Sequence, residues 1–316
     1  MKWAVTGANG NVGRRLIEEL LKNTSADIVA IVRSDRAKKQ VLSALTHTEL
    51  ELAQRVSTAV LDYTDVSSMC RVLEGVSWVG HLVGIIKESG GATYVAAHEK
   101  SSAALVEALQ KNPDAHITYL SIVGATPTSS NACLASKGRA EVLFDNAVNR
   151  ACTLRLPMVL GEGDIVSHRL RARALKPSAY GLRMNSLEQP IYAGDVARAI
   201  LAAGSLGINK NYDLGGLEVI SRAELTRRAA AALTALGERS GARAISIRSF
   251  PIGLGKIVIG IMQTLMPNPP LTMAMLEILD HDDQVDNTPV LQALELGSLT
   301  GLDEALALTL SGNTQS

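Results

Sequence analysis

The sequence predicts an α/β fold, with a doubly wound parallel sheet followed by a smaller, mainly helical C-terminal part. Three observations carry this. Short apolar runs alternate with helix-period segments through roughly the first 150 residues. The earliest run leads directly into a glycine turn and a helix start. The chain, 316 residues long, exceeds what one such sheet needs, so an appended unit is expected. The division read from the sequence is 1–160 for the sheet domain, with later contributions from 190–220, and 161–316 for the smaller unit.

Composition narrows the partners. Lys+Arg and Asp+Glu balance at 31 each and aromatics are only 3%, so neither a basic field nor a stacking surface points to nucleic acid. Cys70, Cys133 and Cys152 show no CxxC spacing and read as reduced thiols. A strand starting near residue 3 leaves no room for a targeting peptide, and no apolar run reaches the roughly eighteen residues of a membrane span. A cytoplasmic chain is expected, with a place peripheral to a membrane as the alternative.

Trp3-Ala4-Val5 forms the first strand, and Val12, Leu16, Ile17, Leu20 and Leu21 mark the inner face of the first helix. Between them runs Thr6-Gly7-Ala8-Asn9-Gly10-Asn11-Val12-Gly13. Gly7 allows the tight turn, Gly10 lets the backbone approach a pyrophosphate, and Gly13 permits close packing of helix on strand. The free N–H groups and positive dipole end of the helix would face the phosphates, as in the Rossmann-type dinucleotide corner.

Ile28–Val32 is an unbroken apolar run suited to a strand buried on both faces. It ends at Arg33, about twenty residues after Gly13, where NAD binders commonly carry an acid for the ribose 2′-hydroxyl. Here Arg33, Ser34 and Arg36 follow, with Lys38 and Lys39 behind. A guanidinium grips a 2′-phosphate that a carboxylate would repel, which favours NADP(H) over NAD(H); the alternative is a solvated basic helix start.

Thr58–Leu61 is the third strand, with Asp62 at its end near the adenine. The fourth, Trp78–Leu82, runs into Val83 and Gly84 beside the cofactor, Gly84 marking either a close approach or a plain loop. A helix is expected from Tyr94 to Lys111. His98 near its start has no second ligand at metal spacing, so it reads as a packed or capping residue and no metal is expected. Ile117–Leu120 is the fifth strand and ends in Ser121. Asn131 to Phe144 contains the next helix, with Cys133 and Lys137 in its first turns. Thr153–Leu156 is the sixth strand, closed by Pro157. Asp195 is placed as the cap of a later helix, Tyr212 to Gly216 gives a strand and turn, and the end from Ser311 reads as frayed.

This set, from the glycine turn through Asp62, Ser121, Lys137, Arg155-Leu156-Pro157 and Gly194-Asp195-Val196, resembles the extended and atypical branch of the short-chain dehydrogenase/reductase superfamily, epimerase/dehydratase-like and NmrA-like. The resemblance covers roughly residues 1–220. It implies that Ser121 positions substrate and that Lys137 binds the nicotinamide ribose and tunes a tyrosine four residues earlier. That tyrosine is absent: the position is Cys133. A thiol is shorter than a phenol and a weaker hydrogen-bonding group, and is read here either as a thiolate activated by Lys137 or as a small residue where tyrosine has been lost.

The tail, Pro270 to Leu279 followed by Asp282, Val285 and Asn287, is similar to the group of the NADPH-binding accessory subunit of respiratory complex I. That implies an accessory, sensing or structural role linked to complex I or quinone metabolism, with a membrane-associated partner complex. The alternatives are an NADP(H)-dependent quinone or carbonyl reductase using Lys137 or substrate protonation, and a nucleotide-sugar epimerase or dehydratase. No residue names the small-molecule substrate, for which a quinone is one candidate. Within 252–266, Leu254, Ile257, Val258, Ile261, Met262, Leu265 and Met266 share one side of a helix, which is either packed or a lipid or partner surface.

Overall fold

The computed structural model describes residues 1–46, 48–239, 245–266, 269, 272–278 and 282–311. In chain order the first elements are β1 (Lys2–Thr6), α1 (Asn11–Asn23), β2 (Asp27–Val32), α2 (Asp35–Ala44), α3 (Leu50–Ala53), β3 (Val56–Val60), α4 (Val66–Val72) and β4 (Val76–His81). One π-helical turn (Val95–Lys100) then leads into α5 (Ser101–Leu109), β5 (His116–Ile122), α6 (Ala132–Asp145) and β6 (Ala151–Leu156). After these come β7 (Val159–Leu160), α7 (Ile165–Ala174), β8 (Ser178–Leu182), β9 (Leu187–Glu188), β10 (Ile191–Tyr192), α8 (Ala193–Leu206) and β11 (Tyr212–Asp213). The chain closes with β12 (Ile220–Ser221), α9 (Arg222–Ala235), β13 (Ser246–Phe250), α10 (Ile252–Leu265), α11 (Met273–Ile278), α12 (Thr288–Ala293) and α13 (Leu302–Leu310).

The chain forms two compact units. The first comprises Met1–Leu156, Gly194–Asp213 and Thr288–Gly297. Its sheet has the order β11-β6-β5-β4-β1-β2-β3, and every pair is parallel. Helices cover both faces of a parallel sheet, which is why β1, β2 and β4 to β6 are buried almost throughout while the edge strand β3 is not. The order reverses between β1 and β4, and such a switch point opens a crevice at the strands' carboxyl ends. Met69, Leu105, Leu109, Ile117, Tyr119 and Phe144 fill the core on one side. Trp78 donates its indole N–H to Thr118 Oγ1 at 3.0 Å and lies against Gly204 of α8, where a Cβ would collide with the ring.

Two expectations shift. The helix expected from Tyr94 is not uniform: its first turn is π-helical, which directs Tyr94, His98, Ser101 and Ser102 inward together. Asp195 does not cap α8, which begins two residues earlier; it lies buried inside the first turn, paired with Arg198.

The second unit comprises Pro157–Ala193, Leu214–Asn287 and Ser298–Ser316. Leu170, Leu225, Leu233, Leu302, Leu306 and Leu310 from α7, α9 and α13 make its core. Its tail residues are structural ties. Asp282 accepts from Ser186 Oγ at 2.6 Å and from the Leu187 N–H at 3.0 Å. Gln189 holds both backbone groups of Val285, and Asn287 does the same for Gly215. Pro270, Leu271 and Leu279, the side chain of Leu254, and residues 312–316 of the tail expected to fray lie outside what is described. No described helix is long and apolar enough to cross a membrane.

Candidate functional site

The glycine turn is built as a phosphate corner. Gly7 has φ +69°, and a Cβ there would lie 3.0 Å from the Leu82 carbonyl carbon, so only glycine lets the turn reach the chain after β4. A Cβ on Gly13 would lie 2.6 Å from the Gly7 oxygen, which forces glycine where α1 leaves the turn. Gly10 caps α1 without a side-chain bond to its first turn, and that turn carries no acid. A helix start with no competing carboxylate fits a pyrophosphate. Thr6 at the end of β1 is buried, its hydroxyl 2.8 Å from His81 Nδ1. Asn9 donates to Gln40 on α2 at 3.0 Å, tying the turn to the helix beside it, while Asn11 and Val12 open α1.

At the end of β2, Arg33 and Arg36 are exposed. Ser34 is the N-cap of α2, its hydroxyl accepting from the Ala37 N–H at 3.3 Å. Asp62 accepts from the Thr64 N–H and hydroxyl, both at 2.9 Å, so its carboxylate shapes the loop after β3. Sequence reasoning missed Tyr63. Its hydroxyl accepts from the Gly7 N–H at 3.1 Å and donates to the Ile31 carbonyl at 3.2 Å, and burial pushes the phenol up to about 12. It braces the glycine turn from below. Adjacency to Asp62 was the one sequence cue.

From the turn the cleft continues along the chain after β4. Val83 is buried beside Gly7. A Cβ on Gly84 would lie 3.0 Å from Lys137 Nζ, the tip of a flexible side chain. Lys137 donates to the Leu120 carbonyl at 2.7 Å and sits 4.5 Å above the Tyr119 ring. Burial pulls its ammonium down to about 8, opposed by Cys133 and Glu141. A lysine that changes charge near neutral pH is able to hold a ribose hydroxyl or pass a proton.

Cys133 is fully buried, and its thiol points at the Ile85 carbonyl 3.6 Å away. Burial outweighs the Lys137 charge and pushes the thiol up to about 11. It is therefore protonated at neutral pH, and the activated-thiolate reading loses its basis. His98 is held between Ile85, whose N–H donates to Nε2 at 3.1 Å, and Ser136 Oγ at 2.7 Å from Nδ1. Burial and Lys137 drive it down to about 3, so it is a neutral packed histidine. Among the described residues no cluster could hold a metal.

Ser121 follows Leu120, whose carbonyl Lys137 bonds. Its hydroxyl donates to Glu141, which also receives Arg155 Nη2 at 2.6 Å and Nε at 2.9 Å. Ser121 and Arg155 thus complete an ion-pair network on Glu141 under α6, with the Ser121 proton committed to Glu141 and its oxygen still able to accept. Pro157 is the first residue of the second unit.

The glycine turn and the switch point beside it give the α/β fold a dinucleotide-type phosphate corner. Residues 7–148 match the NAD(P)H-binding family model. Among solved structures, UDP-glucuronic acid 4-epimerase from Bacillus cereus, in complex with UDP-glucuronic acid and NAD, is similar with a TM-score of 0.71 at 18% identity, over 98% of each chain. The Bordetella bronchiseptica enzyme WbmH, in complex with NAD+, gives 0.70 at 15%, over 98% of this chain and 97% of that one. A nucleoside-diphosphate-sugar epimerase from Staphylococcus aureus gives 0.70 at 18%, over 97% and 100%. At such identities the likeness is one of fold alone. No curated protein matches the sequence.

Proposed function

We propose that this chain binds NADP(H) and holds it in an accessory, sensing or structural role. The observation that carries the reading is Cys133: four residues before Lys137 stands a fully buried thiol 3.6 Å from the Ile85 carbonyl, where burial pushes it up to about 11. It offers no acid matched to hydride transfer near neutral pH. The preference for NADP(H) rests on Arg33 and Arg36, exposed at the end of β2. The tail pattern around Asp282, Val285 and Asn287 supports a link to respiratory complex I or quinone metabolism, through a membrane-associated partner.

One observation favours a second reading, an NADP(H)-dependent quinone or carbonyl reductase. Lys137 sits near pH 8, and the Tyr94 phenol donates to the Ile86 carbonyl at 3.0 Å, next to the carbonyl that Cys133 uses. An epimerase or dehydratase role needs the missing phenol and ranks lower. The test is mass analysis of the nucleotide that co-purifies with the chain. NADP+ or NADPH is expected; NAD+ alone would overturn the cofactor preference, and a chain that binds neither in a titration would overturn the reading.

A further inference from the structure

Helix α10 is held from one side. Gly255 lies against Leu182 of β8, where a Cβ would come 2.6 Å from Cδ1, and Ile259 is only 3% exposed. The opposite side is equally apolar and open: Ile257 is 62% exposed, Val258 56%, Ile261 54% and Leu265 76%. The β8–β13 ribbon, whose Leu182 meets Gly255, carries two further exposed apolar side chains, Tyr180 and Phe250, their rings stacked with centroids 5.9 Å apart. Exposed apolar residues on a soluble surface are ordinarily scattered singly, whereas these form one stripe.

The charge along the stripe has one sign. Residues 176–183 and 246–266 carry Lys176, Arg183, Arg248 and Lys256 and no carboxylate, in a chain of zero formal net charge. Acids follow in the adjoining segment, among the described residues Glu277 on α11, which packs on α10, and Asp282, Asp283 and Asp286, with Asp282 3.5 Å from Arg183. With 14 residues, α10 is too short to span a bilayer but long enough to lie in its interface. A symmetric pairing of two copies through this face would bring the cations of one against those of the other. Lipid headgroups of negative charge would instead complement them.

We infer that the α10 face with the β8–β13 ribbon docks on an anionic lipid surface, with the apolar stripe among the acyl chains and the cations at the headgroups. This rests on the second unit alone and stands independently of the cofactor reading. The experiment is co-sedimentation of the full chain with phosphatidylcholine vesicles, with and without phosphatidylglycerol, at low and high salt. Binding is expected to be at least about tenfold stronger to the phosphatidylglycerol vesicles and to weaken with salt. Ile257→Ser with Ile261→Ser, and separately Lys176→Glu with Arg248→Glu, should each reduce it by about tenfold or more, with melting temperature unchanged. Failure to bind either vesicle, equal binding to both, or full binding by both double variants would overturn the inference. So would self-association without lipid that the isoleucine variant abolishes, which would assign the face to a second copy. A large loss of melting temperature in the isoleucine variant, with binding intact in the charge variant, would return the stripe to the core.

Discussion

Replacing Lys137 with methionine removes the buried ammonium while keeping the length of the side chain. Burial holds this lysine near 8 against an ordinary 10.5. Each pH unit of that gap corresponds to about 1.4 kcal/mol, or ~3 kcal/mol in all. Between those two values the unfolded chain binds the proton and the folded chain does not, so this group's contribution to stability rises with pH through that window. Above about 10.5 the cost of burying the charge is gone; below about 8 it is present in full. Lys137→Met escapes the cost but leaves the Leu120 carbonyl without its donor, an offset of ~1 kcal/mol at every pH. Groups such as Tyr63 and Cys152, which burial raises, pull stability down in alkali in both proteins and cancel in the difference. The assay is urea unfolding of wild type and variant from about pH 7 to about pH 10. The variant should be the more stable below about pH 8, and its advantage should shrink by ~2 kcal/mol or more by about pH 10. A flat difference, or one that grows with pH, would refute the buried-ammonium argument.

Two further outcomes follow from the cleft. NADPH should bind at least about tenfold tighter than NADH, because one charge-assisted phosphate contact is worth ~1.5–3 kcal/mol, and Arg33→Asp should erase that preference; calorimetric titration of both proteins with both nucleotides checks it. Gly13→Ala places a Cβ 2.6 Å from the Gly7 oxygen, so the turn must open. Its NADPH affinity should fall by about a hundredfold or more, with a lowered melting temperature, since neither neighbour is a flexible side chain.

The sheet was legible because burial on both faces writes each central strand as an apolar run, and the glycine turn because its spacing is set by backbone sterics. What escaped depends on contacts distant in sequence. Ser121 carries no mark of its bond to Glu141, because the pairing arises only when α6 packs on β5 and Arg155 arrives from β6. Tyr63 carries no mark of its bond to the Gly7 N–H, which exists only once the turn is folded. The π-helical turn escaped because Tyr94 to Lys111 satisfies a helical pattern without showing where an extra residue enters. The apolar stripe of 252–266 was visible as a periodicity. Periodicity reports which residues share a face, not whether protein covers it, and here both faces are apolar.

In the proposed function, NADP(H) is held beside Lys137 without an acid that completes hydride transfer. Single-turnover mixing of NADPH-loaded protein with a panel of quinones and carbonyls, followed at the nicotinamide absorbance, tests it most directly. The account predicts that wild type and Cys133→Ala oxidise NADPH no faster than free nucleotide does. It also predicts that Cys133→Tyr, by restoring a phenol next to Lys137, gains measurable carbonyl reduction out of the ~10²–10⁴-fold that a well-placed acid supplies. Rapid oxidation by wild type, lost in Cys133→Ala, would contradict it and make that thiol the proton donor.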